Sequence, residues 1–165
     1  MIHVVLYCPE IPPNTGNIIR TCMASNATLS LIKPLGFEIS DAAFKRAGLD
    51  YLRHFKFDVY ENFGDFLSKR KPSFDNTYII TRFADYTYSD ANLVNPDKDY
   101  YFIFGSETHG LPDNIHKMYE GHRLRIPMDA NARCLNLSNS VAIIVYEALR
   151  QQNFPTLSRI NVLEG

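Results

Sequence analysis

The stretch FGSETHGL, at residues 104–111, places two glycines and a carboxylate at the end of an apolar run. Gly105 and Gly110 would let backbone N–H and C=O groups approach a flat ligand, because glycine has no side chain in the way. Glu107 could offer such a ligand a charge or hydrogen-bond acceptors. An ordinary turn between a strand and a helix explains the same residues equally well, so the stretch alone leaves both interpretations open.

Two further polar segments carry groups suited to binding. The first is PEIPPNTGNIIR, at residues 9–20, where Gly16 permits a close backbone approach and Arg20 follows about one helical turn later. The second is IPMDANARCLNLSNS, at residues 126–140, which contains Asn136. Each has a plain structural alternative: a turn glycine with a surface arginine in the first segment, and a capped helix start in the second.

Short apolar runs rich in β-branched and aromatic residues predict buried strands at residues 2–7, 29–32, 55–60, 77–81, 100–104 and 123–126. Helix-compatible stretches alternate with them at residues 16–24, 41–47, 63–69 and 112–119, and Pro112 suits a first helical position. This alternation predicts an α/β fold with an open, mostly parallel sheet flanked by helices. Each polar segment follows a predicted strand, where open parallel sheets usually bind ligands.

The last helix has the most regular pattern. Ser138 or Asn139 could cap it. Its apolar positions are spaced three and four residues apart and should face the sheet: Val141, Ile144, Val145, Ala148 and Leu149.

The bulk composition indicates one folded domain. Of the 165 residues, 45% are hydrophobic and 21% charged, which is ordinary for a globular protein, and no window approaches the roughly 20 apolar residues of a membrane span. We expect a single domain over residues 1–154 and a tail over residues 155–165, where no periodicity is visible. The three cysteines lie far apart and the histidines lack ligand spacing, so we expect reduced thiols, a cytoplasmic protein and no metal.

The net charge of −1 argues against a protein that holds nucleic acid by bulk electrostatics, so any contact with nucleic acid would be local. Two basic clusters could hold nucleic acid, although solvated surface explains each equally well: Lys45, Arg46, Arg53 and Lys56 with His54, and Lys69, Arg70 and Lys71.

Several sequence motifs of common enzyme classes are absent, among them GxxxxGK[ST], GxGxxG after the first strand, HExxH and GxSxG.

Taken together and in this order, NTGNIIR, FGSETHGL and IPM…LNLSNS resemble the three motifs of the SPOUT methyltransferases, over residues 1 to about 154. Within that superfamily the chain is most similar to the tRNA 2'-O-methyltransferases of the wobble nucleotide, because PEIPPNTGNIIR and RAGLDY, at residues 46–51, also resemble that group. The resemblance implies an α/β sheet with a deep C-terminal trefoil knot. It also implies methyl transfer from S-adenosylmethionine, without a metal, to the ribose 2'-hydroxyl of a cytidine or modified uridine at position 34 of tRNA.

In the family, the knotted loops hold S-adenosylmethionine in a bent shape. Backbone contacts should dominate there, so the side chains of Ile80 and Ile126 would matter mainly for packing. The resemblance implies these cofactor contacts: Ile80, Thr81, Gly105, Glu107, Ile126, Pro127, Met128, Cys134 and Leu135.

Family members work as homodimers, and the resemblance implies that Arg20 reaches toward the partner's cofactor. Because a guanidinium stays protonated in proteins, we expect Arg20 to grip the phosphate beside the target and so orient the 2'-hydroxyl, while a phosphate oxygen takes the proton. Asn136 matches a family position near the reacting ribose, but capping of the last helix is an equal alternative. We expect four residues to bind RNA: Arg20, Lys45, Arg46 and Arg53.

Two positions depart from the family pattern. Cys134 stands where related sequences commonly carry serine, so a role that needs a hydroxyl is in doubt there. His109 stands where wobble-modifying relatives often carry arginine, which replaces a permanent charge with one that titrates near neutral pH.

The motifs leave three alternatives open. The first alternative is an enzyme that methylates ribosomal RNA or another tRNA position, because such enzymes carry the same three motifs, although they often add a separate RNA-binding domain. An RNA-binding module of the same fold that lost turnover is the second alternative, favoured only by Cys134. A hydrolase that uses Cys134 with a histidine is weaker, because no orienting pattern supports it.

Overall fold

A seven-stranded sheet runs through the residues that the computed structural model describes, which are 1–40, 42, 55–84 and 86–160. Its strands are β1 (Ile2–Tyr7), β2 (Thr28–Ile32), β3 (Asp58–Tyr60), β4 (Thr77–Ile80), β5 (Tyr86–Thr87), β6 (Tyr100–Phe104) and β7 (Arg123–Arg125). The longer helices are α1 (Pro12–Ser25), α2 (Phe63–Arg70), α3 (Asp113–Met118) and α4 (Leu137–Gln151).

The strands lie in the order β3-β2-β1-β6-β4-β7-β5, and every pairing between them is parallel. At the centre, Val4 of β1 is in register with Leu29 of β2 on one side and Phe102 of β6 on the other. The predicted α/β fold with an open parallel sheet is confirmed.

Helices cover both faces of the sheet. Successive residues of a strand point to opposite faces. Val4 therefore packs in a buried cluster with Ile18 of α1 and Val145 of α4. Val5 packs in a second cluster with Phe66 of α2 and with α3. The central strands are buried on both sides, which explains why they read as continuous apolar runs in the sequence.

The predicted strand positions hold, with small differences at their ends. β1 and β6 have the predicted bounds, whereas β3 is confined to Asp58–Tyr60. Phe55 and Phe57, predicted as strand residues, lie before β3 and pack against the core. The two-residue strand β5 was not predicted, because a segment this short carries no periodicity. The predicted helix at residues 41–47 lies outside the described residues except for residue 42.

Two predicted helix starts were wrong. α1 begins at Pro12, not Gly16, because prolines at the first two helical positions lose no hydrogen bond there. Pro112 is the residue before α3, not its first residue.

The apolar stripe of α4 faces the sheet as predicted. Its cap is neither Ser138 nor Asn139 but Asn136, for which capping was one of the two predicted roles. Asn136 caps the helix, since its side-chain oxygen accepts a hydrogen bond from the backbone N–H of Ser138 at 2.9 Å. Beyond α4, Phe154 and Leu157 pack against the core, and Thr156 Oγ1 accepts a hydrogen bond from Asn26 Nδ2 at 3.3 Å.

His3 is a buried histidine in β1. Its Nδ1 lies 2.7 Å from Thr28 Oγ1, and its Nε2 lies 3.1 Å from Asp99 Oδ1. A neutral imidazole satisfies both contacts if Nε2–H donates to the Asp99 carboxylate and Nδ1 accepts from the Thr28 hydroxyl. Burial lowers the pKa of His3 below its ordinary value of 6.5, and the hydrogen bond to Asp99 opposes that shift without cancelling it.

We expect the free energy of unfolding to fall as the pH is lowered from about 7 to 5. The unfolded chain takes up a proton on His3 near pH 6.5, whereas the native chain resists it until a lower pH. His3→Gln should therefore flatten the pH dependence of urea unfolding, although His116, whose pKa burial also lowers, keeps part of the slope. Equal slopes for the wild type and His3→Gln would contradict this account.

Candidate active site

A cavity of about 440 Å³ opens where β4, β6 and β7 end. Its volume lies within the usual range for small-molecule sites. Most of the cavity wall comes from the segments at the ends of these three strands: residues 80–83, residues 104–111, and residues 126, 128, 133–137 and 140. The other lining residues are Ile11 and Asn14, at the start of α1, and His116 of α3. The three polar segments singled out in the sequence therefore meet around one space.

The loop after β6 requires glycine for packing reasons. A Cβ on Gly105 would lie 2.3 Å from the carbonyl carbon of Gly110 and 2.5 Å from the nitrogen of Leu111, both of which are backbone atoms. Two hydrogen bonds keep the backbone of Ser106 and Gly110 close together: Gly110 N–H donates to Ser106 O at 2.9 Å, and Ser106 N–H donates to Gly110 O at 3.2 Å. Gly110 itself has a φ of +69°, a conformation that other residues rarely adopt. The loop that lines the cavity is therefore closed by direct packing of its own backbone.

Two glutamates tie this loop to the segment before α1. The Glu107 carboxylate accepts hydrogen bonds from the backbone N–H of Glu10 at 2.8 Å and of Ile11 at 3.1 Å. In return, the Glu10 carboxylate accepts one from the backbone N–H of Thr108 at 2.9 Å and lies 3.3 Å from His109 Nδ1. Hydrogen bonds from Thr108 hold the pKa of the Glu10 carboxyl below its usual value. The charge of Glu107 also suits this place, because the amino end of a helix attracts anions.

A chain of side-chain amides links all three motifs. Asn14 Nδ2 donates to Glu107 Oε1 at 3.1 Å, and Asn136 Nδ2 donates to Asn14 Oδ1 at 2.9 Å. Asn136 Oδ1 accepts from the hydroxyl of Ser138 at 2.6 Å as well as from its backbone N–H. Since a carboxylate only accepts, the order of donors and acceptors fixes both amides in one orientation.

The sequence over most of the chain matches a known family. Residues 1–146 fit the profile of the SpoU rRNA Methylase family. The chain belongs to this family. Membership confirms the resemblance predicted from the three motifs.

Individual relatives of this SpoU family member cover most of its length. One from Listeria monocytogenes, provisionally named tRNA (cytidine(34)-2'-O)-methyltransferase, is 51% identical over 155 residues, which are 94% of this chain and 90% of that protein. A solved structure concerned with the 2-OH methylation of C/U34 on tRNA is 36% identical with a TM-score of 0.80, over 93% of this chain and 97% of that one. The SpoU methyltransferase AviRb from Streptomyces viridochromogenes, in complex with AdoMet, is 25% identical with a TM-score of 0.73, over 92% of this chain and 60% of that one.

Most residues predicted to contact the cofactor line the cavity of this SpoU protein. Pro127 is the exception: it is exposed and does not line the cavity, although its neighbours on both sides do. The lining residues are Ile80, Thr81, Gly105, Glu107, Ile126, Met128, Cys134 and Leu135, and Asn136 joins them.

The predicted RNA contacts are placed differently. Arg20 is exposed on α1, six residues beyond Asn14 and so about 9 Å further along the helix axis, and it does not line the cavity of its own chain. Lys45, Arg46 and Arg53 lie outside the described residues.

The second basic cluster is largely neutralised by carboxylates. Lys69 Nζ lies 2.8 Å from Asp65 Oδ1, and Arg70 is paired with Asp58. The hydrogen bond from Lys69 lowers the pKa of Asp65. These contacts favour the interpretation of residues 69–71 as solvated surface.

Sequence reasoning missed several lining residues of the cavity. Asn14 belongs to the NTGNIIR motif, which was the available signal for it. Arg82, Phe83 and His116 lie outside the three polar segments, and Arg133 lies within residues 126–140 but was not singled out there. Only the meeting of distant segments around the cavity reveals their place. Within the described ranges, no group of three or more His, Cys, Asp and Glu side chains could hold a metal ion, and no helix is long and apolar enough to cross a membrane.

Proposed function

We propose that this protein transfers a methyl group from S-adenosylmethionine to the ribose 2'-hydroxyl of the wobble nucleotide of tRNA, a cytidine or modified uridine at position 34, in the cytoplasm. The observation that carries the proposal is the chain from Glu107 through Asn14 to Asn136, which brings the three family motifs around one cavity. The family description mentions ribosomal RNA, but relatives that match nearly the whole chain carry tRNA names, which favours tRNA.

The cavity fits S-adenosylmethionine in its size and its donor groups. Ile80, Ile126 and Leu135 offer apolar contacts, while the loop of Gly105 offers backbone groups. When bound, this co-substrate supplies an electrophilic methyl group on a sulfonium sulfur. The chain's own residues must then exclude water, hold the ligand and orient the ribose hydroxyl, without a metal.

We assign the orienting role to Arg20 of the second protomer in a homodimer. Arg20 does not line its own chain's cavity, which favours action across an interface. Its guanidinium stays protonated and can hold a phosphate with two parallel hydrogen bonds, so it fixes the adjacent ribose in line with the methyl–sulfur bond. Asn136, aligned by Asn14, offers the free hydrogen of its Nδ2 to that ribose.

The proposed fold includes the deep trefoil knot of the SPOUT superfamily, formed by the segments after β6 and β7. The strand order is compatible with it, because β4 lies between the two later strands β6 and β7. Lys45, Arg46 and Arg53 complete the proposed RNA contacts.

Calorimetry separates this function from that of an RNA-binding module without turnover. We expect S-adenosylmethionine and its demethylated product to bind at one site in each protomer. If folded protein gives no heat signal with either compound, the result would support the RNA-binding module instead. The absence of a signal from a nucleoside triphosphate serves as the specificity control.

A further inference from the structure

Phe83 is an aromatic side chain left in solvent at the mouth of the cavity. It follows Thr81 and Arg82 after β4, and the residue is 62% exposed although it lines the cavity. It is the most exposed of the large apolar residues described along the cavity wall, where Phe104 and Leu111 are buried. Exposure of a single phenylalanine is not unusual in itself, so its surroundings decide whether it has a role.

Two neighbours hold the Phe83 ring in place. The guanidinium carbon of Arg82 lies 4.6 Å from the ring centroid, within the range of a cation–π contact. His116 of α3 meets the ring in a T-shaped arrangement, with centroids 6.1 Å apart and planes inclined by 76°. The ring is therefore oriented before any ligand arrives, while most of its area remains accessible.

The cavity mouth is also positive, although the whole chain carries a net charge of −1. Arg82 and Arg133 are exposed lining residues, and neither forms an ion pair with another described residue. Glu107 is the one carboxylate among the described lining residues, and its oxygens accept hydrogen bonds from residues 10, 11 and 14. An open aromatic ring with one cation against it and a second cation in the same cavity wall matches the chemistry of single-stranded RNA, which offers phosphates and unstacked bases.

We propose that Phe83, backed by Arg82, stacks on a nucleobase of the substrate RNA at the cavity mouth, while Arg133 holds a phosphate. This inference rests on the proposed function, which makes RNA the substrate. Phe83 is then a positioning residue that holds the flipped-out nucleotide while its ribose meets the methyl donor.

The test compares Phe83→Ala with Phe83→Tyr. Loss of one base–aromatic stack should weaken binding of an anticodon-arm RNA by about 10-fold to 100-fold, and tyrosine should restore it. Fluorescence anisotropy with a labelled RNA hairpin measures this without turnover. The KM for tRNA should rise in parallel, with kcat changed much less. Phe74→Ala is the matched control, because Phe74 is 46% exposed and packs beside Tyr119 and His122 away from the cavity.

The dependence of RNA affinity on salt concentration tests the phosphate contact. Arg133→Gln should reduce the slope of log affinity against log salt by about one phosphate contact, whereas Arg82→Gln should change the slope less, because Arg82 backs the ring. An unchanged slope for Arg133→Gln would overturn the part of the proposal that concerns the phosphate.

The adenine of the methyl donor is the competing partner for the ring. If Phe83→Ala weakens binding of the demethylated product in calorimetry but leaves RNA binding intact, the stacking proposal is wrong. It is also wrong if neither affinity changes. If wild-type protein binds the RNA through Phe83 but methylates no tRNA, the stacking survives and the proposed function fails.

Discussion

Replacing Arg20 with lysine should lower the turnover of methyl transfer by about 100-fold or more, because lysine keeps the charge but loses the planar pair of donors that orients a phosphate. The affinity for S-adenosylmethionine should stay near that of the wild type, since the group that Arg20 is proposed to hold is an RNA phosphate and not the methyl donor. Single-turnover methylation with radiolabelled donor gives the rate, and calorimetry gives the affinity.

Arg150→Lys is the control for this substitution. Arg150 is exposed at the far end of α4 and pairs with Glu147, so its replacement should leave both quantities unchanged. Near-normal turnover of Arg20→Lys would refute the proposed grip on the phosphate.

Replacing Gly105 with alanine should abolish measurable binding of S-adenosylmethionine. The added Cβ would lie 2.3 Å from the carbonyl carbon of Gly110, closer than real Cβ contacts, so the backbone of the loop must move. That movement breaks the paired hydrogen bonds between Ser106 and Gly110 and displaces the wall of the cavity. Overpacking of this kind also lowers the free energy of unfolding by about 1–3 kcal/mol, which urea unfolding would report.

Gly121→Asn is the matched glycine control. Gly121 has a φ of +83° but nothing within 4 Å of a built Cβ, and asparagine tolerates this conformation. It should keep the cofactor affinity of the wild type. A folded Gly105→Ala protein that binds S-adenosylmethionine normally would show that the close approach in this loop is unimportant for the site.

The same two positions test the dimer. In a mixture of Arg20→Ala and Gly105→Ala proteins, each inactive alone, a heterodimer combines an intact cavity with Arg20 from the other protomer. Recovery of part of the activity after mixing is expected. If heterodimers form but no activity returns, Arg20 acts in its own protomer's site or has no role in catalysis.

The sequence predicted the location of the cavity because most of the segments that line it come at the ends of predicted strands. Ile80 lies near the end of a predicted strand, and Gly105 and Cys134 lie in loops that predicted strands lead into. Parallel strands bring such segments to one edge of the sheet. Because β1 and β6 are buried on both faces, each is a continuous apolar run in the sequence, and the ends of these runs gave the correct bounds.

Contacts between distant residues were beyond sequence reasoning. Asn14 meets Asn136 from 122 positions away, and nothing in local spacing announces the pair. Phe83 was missed for a related reason, since an exposed aromatic outside any periodic run resembles loop residues in general. The two prolines before Asn14 lie in the first turn of α1, outside the stretch of residues 16–24 that the sequence predicted as helical.

Mapping of the methylated nucleotide tests the proposed methyl transfer to position 34 of tRNA. Purified protein is incubated with S-adenosylmethionine and tRNA that lacks modifications, and the ribose that gains the methyl group is located by nuclease digestion and mass spectrometry. We expect a 2'-O-methyl group on the cytidine or uridine at position 34. Incorporation at another tRNA position, or into ribosomal RNA alone, would contradict it.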